Sequence, residues 1–262
     1  MNRNDYPLPR IVSREEWLVA RKALLEKEKT LTRQRDALNA ERRQLPMVAV
    51  TQDYRFQGPQ GELRLVDLFE GRSQLIIYHF MFHRDRGEGC EGCSSLVDNI
   101  GHQAHLHARD TTLALVSRAP LAELEAFKRR MGWTLPWYSS YGSAFNYDYH
   151  VSLDEAVAPV EYNYRDKAEL EHLGLTYHVQ GEQPGVSVFL RDGERVYHCY
   201  SSYGRGLDIL MGSYNYLDLT PFGRGEGWDG MPDLNGQGLN WTRLHDQYQQ
   251  PAAHACCSVN EI

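Results

Sequence analysis

The side chains best suited to chemistry are two cysteines, Cys90 and Cys93, separated by Glu91 and Gly92. Thiols at this spacing can exchange with a disulfide. One attacks as a thiolate, and the other resolves the mixed disulfide. The flanks fit that use. Leu75 to Phe82 is an apolar, β-prone run, a charged loop with Gly87 and Gly89 follows, and the sequence after Cys93 reads as a helix. A strand would then deliver the first cysteine to a helix start, where free backbone N–H groups and the helix dipole favour a thiolate. Glu91 opposes that charge; Arg84 and Arg86 would offset it if the loop folds back. Tyr78, His79, His83 and Arg84 are the candidate tuners.

Metal binding is the competing use. Zinc or copper takes thiolates and imidazoles, and Cys90, Cys93, His79 and His83 form a candidate ligand set. In one continuous strand His79 and His83 would share a face. His102, His105 and His107 lie on the expected following helix, without the paired spacing of a zinc finger. The dithiol reading itself requires no cofactor. Cys199 reads as an ordinary buried residue, and Cys256-Cys257 as part of a loose tail. No phosphate-binding glycine loop, Gly-x-Ser-x-Gly or His-Glu-x-x-His is present.

The elements that must hold the pair follow from the rest of the chain. Residues 1–46 read as an arm and one long helix. Ser13 and Glu16 form a capping box, in which each side chain satisfies the other's backbone N–H, and Pro46 ends the helix. Its thin apolar stripe would lie on a domain surface or against a second copy, so a homodimer is an expectation. Residues 47–250 read as one α/β domain. After short strands and turns over 47–74, a strand at 75–82 is followed by a helix to about residue 108, a strand at 113–116 and a helix opened by Pro120 and capped by Gly132. That βαβα order implies parallel strands with a right-handed crossover. An aromatic-rich insertion spans about 133–183, with a helix near 166–173. Packing accounts for Asp148, Asp154, Tyr147 and Tyr149 there better than paired acid–base catalysis. Asp192-Gly193 marks a late β-hairpin. A loop-rich extension begins near 204, its 223–240 stretch being a glycine-rich surface loop, and residues 251–262 form a tail.

The totals exclude several classes. The net charge of −7, with no basic run, argues against nucleic acid as a partner. No apolar run reaches the roughly 18–20 residues of a membrane span, and the polar start lacks a signal core. These features imply a cytoplasmic protein whose partner is a protein or small-molecule thiol or disulfide.

The residues also carry a resemblance. TLALVSRAPLAELEAFKRRMGWTLPWYSS resembles the second βα unit of peroxiredoxins and related thioredoxin-fold proteins, and VFLRDGERVYH resembles their late hairpin. More closely, SREEWLVARKALLEKEK, YHFMF, GCEGCS, VSRAPL, FNYD and YNYLDLTPFGR together resemble the bacterial domain-of-unknown-function 899 family, which is described as thioredoxin-like. The resemblance spans about residues 10–250 and implies a thioredoxin-like fold, a central mixed sheet flanked by helices. It places Cys90 and Cys93 on the dithiol positions. The pattern departs from peroxiredoxins, because His83 and Gly87 stand where a Pro and a Thr precede the peroxidatic cysteine. The arginine before the late strand is also missing. Peroxide reduction is therefore the alternative activity and disulfide exchange the leading one. Pro184 sits near the place of the thioredoxin cis-proline, one residue out of register.

Overall fold

The computed structural model describes residues 8–224 and 241–248. The start of the N-terminal arm, most of the glycine-rich stretch, and His254, Cys256 and Cys257 lie outside the described residues. The long helix, α1, spans Arg14–Arg42. Ser13 caps it as expected: Glu16 N–H donates to Ser13 Oγ at 3.2 Å, and Ser13 N–H donates to the Glu16 carboxylate at 3.0 Å. No residue of α1 is buried. Trp17, Leu24, Leu31, Leu38 and Leu45 recur every seventh residue as an exposed stripe.

Eight strands of the described residues make the central sheet: β1 Val48–Ala49, β2 Arg55–Gly58, β3 Gly61–Arg64, β4 Gln74–His79, β5 Thr111–Ser117, β6 Trp137–Ser139, β7 Gly185–Asp192 and β8 Arg195–Tyr203. Their spatial order is β1-β8-β7-β4-β5-β6-β2-β3. β4, β5 and β6 run parallel, and the remaining neighbours pair antiparallel. The four central strands, β8-β7-β4-β5, consist of one parallel crossover pair extended by one antiparallel hairpin. With helices on the faces, this is a thioredoxin-like fold. The crossover carries α2, Glu91–Asp98, and α3, Ala104–His107. α4, Leu121–Arg130, follows β5, and Gly132 takes the left-handed conformation that ends it, φ 65°. Gly193 likewise has φ 62° in the hairpin turn between β7 and β8.

Three local expectations change. The first strand stops at His79 instead of Phe82. The helix after the cysteines is broken: α2 ends at Asp98, and Gly101 and His102 lie outside both α2 and α3. Glycine there lowers helix propensity, and no apolar face spans the gap. Cys199 is half-buried, not buried, on the outer hairpin strand β8.

Strand alternation divides the core. Tyr78 joins α2 and α4 residues on one face, with Leu96, Val97, Leu124, Phe127 and Trp137. Leu75, Ile77 and the ring of His79 belong to the other face, with Phe145, Tyr149 and Phe189. The insertion adds a third cluster, Val151, Leu153, Val160, Tyr162 and Leu170 with Tyr203. Among the described residues, no helix is long and apolar enough to cross a membrane.

His79 ends a buried polar chain. Its Nε2 lies 2.8 Å from Ser187 Oγ, which is 2.8 Å from Ser201 Oγ, itself 2.8 Å from His198 Nε2. Burial, with His198 nearby, lowers the His79 pKa to about 3, and burial also lowers that of His198. Both rings fold neutral, whereas unfolded histidine protonates near 6.5. The unfolded chain therefore binds more protons below that pH, and stability falls as pH drops from about 6.5 toward 3. For His79 the slope approaches about 1.4 kcal/mol per pH unit, and His198 adds in the same direction. Urea midpoints measured across this range should show the decline, and His79→Phe should flatten it.

Candidate functional site

The cysteines are delivered by a small device the sequence reading lacked. After β4 the chain forms a short antiparallel hairpin, Phe82–His83 against Glu88–Gly89, with Phe82 opposite Gly89 and His83 opposite Glu88. Gly87 turns it with φ 64°. The hairpin carries the chain out and back, so that Cys90 returns beside Met81 and its N–H donates to Met81 O at 3.0 Å. Cys90 is then the N-cap of α2, extended at φ −61° and ψ 136°, and its carbonyl accepts from Ser94 N–H at 2.8 Å.

Gly89 makes the return possible. A Cβ at this position would lie 2.5 Å from Phe80 Cζ and 2.7 Å from Phe127 Cε1. Both rings are buried in a packed aromatic group with Trp133 and Trp137. The backbone before Cys90 therefore lies directly against the core.

Both thiols are free, and they differ in environment. Cys90 is half-buried, and Cys93 is buried in the first turn of α2. The Cys90 thiol is held well below its ordinary pKa. The largest cause is a hydrogen bond from the Cys93 thiol, followed after the opposing effect of burial by one from His83 and by the N–H groups of Cys93 and Gly92. Cys93 is pushed the other way, by burial first and then by the charge and hydrogen bond of Cys90. Tyr78 hydroxyl and Met81 N–H donate to the Cys93 sulfur and partly offset that rise. The arrangement can hold one thiolate and one thiol in contact, poised for successive attack.

Of the expected tuners, Tyr78 reaches Cys93 and His83 reaches Cys90. His79 does not join them. It follows Tyr78 in the same strand, so its ring emerges on the opposite face and bonds to Ser187. Arg84 lies over the Tyr141 ring, 4.6 Å from its centroid. The proposed ligand set of Cys90, Cys93, His79 and His83 is thus split by the sheet. The shared-face expectation required a strand continuous to His83, and the strand ends at His79. Among the described residues, no three histidine, cysteine or carboxylate side chains are grouped to hold a metal ion.

Other residues enter the site unannounced. The sulfurs open onto a cavity of about 220 Å³ walled also by Tyr177 and His178 of the insertion, Pro184, and Leu207, Met211 and Tyr214 of the extension. Pro184 immediately precedes β7, its peptide bond is trans, and its carbonyl accepts from Tyr162 hydroxyl at 2.9 Å. Tyr177 is pushed up to about 12 by burial and by the nearby cysteine charges. The sequence signals for these residues were the aromatic density of the insertion and, for Pro184, its place near the thioredoxin cis-proline. Asp148 and Asp154 form no catalytic pair: Asp148 accepts from Tyr54 hydroxyl at 2.6 Å, and Asp154 accepts from Ala156 N–H.

Gly89→Ala should destabilise the protein by about 1–3 kcal/mol, the range for overpacking a close-packed core. Chemical denaturation measures this. The same variant should raise the Cys90 pKa, because the N-cap shifts with the displaced backbone.

Comparison with known proteins places the chain. No curated protein matches it. Solved structures of peroxiredoxin-type proteins are among those it is similar to, at low identity and low structural overlap. The Xanthomonas campestris bacterioferritin comigratory protein, described with alkyl peroxide reduction activity, is 12% identical with a TM-score of 0.38, and the match covers 63% of this chain and 95% of that one. A Xylella fastidiosa PrxQ mutant gives 11% and 0.40, covering 64% and 95%. Mycobacterium tuberculosis peroxidoxin BcpB gives 12% and 0.36, covering 66% and 96%. The sequence itself matches one family over residues 6–248, nearly its whole length. The chain belongs to the family described as bacterial protein of unknown function (DUF899).

Proposed function

We propose that the protein is a thiol–disulfide oxidoreductase with Cys90 and Cys93 as its catalytic pair. What supports this is the asymmetry of two neighbouring thiols, Cys90 half-buried as the N-cap of α2 and Cys93 buried in its first turn. Cys90, partly exposed at the N-terminus of α2, is favoured as thiolate by donors from Cys93, His83 and the backbone, while Cys93 is buried and stays protonated. A dithiol reductant requires this asymmetry.

In the reaction, Cys90 thiolate attacks one sulfur of a protein or small-molecule disulfide. The substrate S–S bond breaks, a Cys90 mixed disulfide forms and the first substrate sulfur leaves as thiolate. Cys93 gives its proton to that leaving group and attacks the Cys90 sulfur. The second substrate sulfur departs, taking a proton from solvent. The substrate disulfide gains two electrons, and the Cys90–Cys93 pair is oxidised to a disulfide. His83 and Tyr78 act by holding the two sulfurs. A cytoplasmic setting, with its reduced thiol pool, would return the pair to the dithiol form.

Iodoacetamide labelling of the reduced protein across pH, read by mass spectrometry, tests the assignment. Cys90 should react first, with a pKa below the ~8.5 of a free thiol, and Cys93 should be spared. The labelling rate should fall only as pH drops through that lowered pKa, because the thiolate is complete above it. His83→Ala and Cys93→Ala should each move the Cys90 pKa upward. Cys93→Ala should also accumulate the mixed disulfide with an aryl disulfide. An ordinary Cys90 pKa together with no disulfide reduction would sink the proposal.

A further inference from the structure

We infer that the disulfide reduced at Cys90 is carried on an uncharged alkyl group. This rests on the dithiol reading above and concerns the walls around the sulfurs. The cavity of about 220 Å³ that holds Cys90 and Cys93 is built from Tyr78, Met81, Leu96, Pro184, Leu207 and Met211. These present methyl groups, thioethers and ring faces. Met side chains adapt to the shape of an apolar guest.

Several polar side chains on the same wall are held by other partners. Tyr78 hydroxyl bonds to Cys93. His178 Nδ1 lies 2.7 Å from Gln183 Oε1, with its ring stacked on Tyr162. Asp208 is paired with Arg224 at 3.0 Å and with Arg205 at 2.9 Å. Tyr214 lies under the Arg224 guanidinium. A charged group brought against Cys90 would lose water to a wall made largely of methyl, thioether and ring-face surface, which is costly. An alkyl group loses nothing by the same move.

The ground outside disfavours anions too. Tyr177 and Met81 separate the cysteine cavity from a groove of about 930 Å³. Its charged walls hold three cations, Arg84, Arg118 and Lys167, against five carboxyl groups, Asp85, Asp154, Glu155, Glu171 and Glu182. Lys167 is already paired with Glu155 and Arg118 with Glu182. An anionic disulfide such as that of glutathione therefore meets like charge on approach and an apolar wall at the sulfur.

Single-turnover oxidation of the reduced protein tests this, with dimethyl, diethyl and dipropyl disulfide and with glutathione disulfide as probes. Each rate is divided by that of a free small thiol with the same probe, which removes intrinsic reactivity. The normalised rate should rise along the alkyl series. Dipropyl disulfide should exceed glutathione disulfide by about tenfold or more, since one methylene in a fitted pocket is worth about that much. Met211→Gln, which places an amide in the wall, should collapse that ratio, with circular dichroism checking the fold. The wild-type series stands alone if that variant fails to fold. Equal normalised rates, or a preference for glutathione disulfide, overturn the alkyl specificity while leaving disulfide exchange intact. Failure with every disulfide, alongside an ordinary Cys90 pKa, removes the dithiol reading and this inference with it.

Discussion

Neighbouring residues of a β-strand point to opposite faces, and this protein divides its polar groups by that rule at the end of β4. Tyr78 projects toward α2 and supports Cys93. His79, one residue on, projects into the other half of the core and joins Ser187, Ser201 and His198. Because the sheet is a continuous hydrogen-bonded layer, the two sets cannot mix. The thiols keep His83 beside Cys90 and His178 on the cavity wall, and the buried His79 belongs to the framework. A metal site drawing on both faces is excluded for the same geometric reason.

The dithiol sits where the central sheet and its helices meet the insertion and the extension. The core supplies strand β4, the helix N-terminus and the close approach at Gly89, where the backbone rests on Phe80 and Phe127. The insertion supplies Tyr177 and His178, and the extension supplies Leu207, Met211 and Tyr214. Tyr162 ties these parts together. Its hydroxyl donates to Pro184 O and accepts from Gly204 N–H at 3.0 Å, joining the insertion to both ends of the β7–β8 hairpin. The cavity wall is therefore held by hydrogen bonds as well as by packing.

Burial acts on the two sulfurs unequally. It raises the pKa of any isolated thiol, because the charged form loses water. At Cys90 that effect is outweighed by donors that require a thiolate acceptor, and at Cys93 it is reinforced by the charge formed next door. One negative charge is thus favoured at the half-buried sulfur of Cys90, at the helix N-terminus. Glu91, which reads in sequence as an obstacle, is not among the main influences on the Cys90 thiol, which are led by the Cys93 thiol, burial, His83 and the backbone N–H groups.

By itself the sequence determined the local structure: the capped helix at Ser13, the βα units, the hairpin at Asp192-Gly193, and a Cys-x-x-Cys at a helix start. Each depends on residues close together in the chain, through capping, turn conformation and hydrophobic period. It also brought out Tyr78, His83, Cys90 and Cys93 together, because the hairpin that joins them is short. Only the tertiary structure decided that His79 leaves the group, since the strand end that breaks the expected face is fixed by pairing with β7 and β5. Only the fold could place Tyr177, Pro184 and Met211 around the sulfurs. They lie far from Cys90 in sequence, and the contacts that gather them come from packing between segments, which no local pattern encodes.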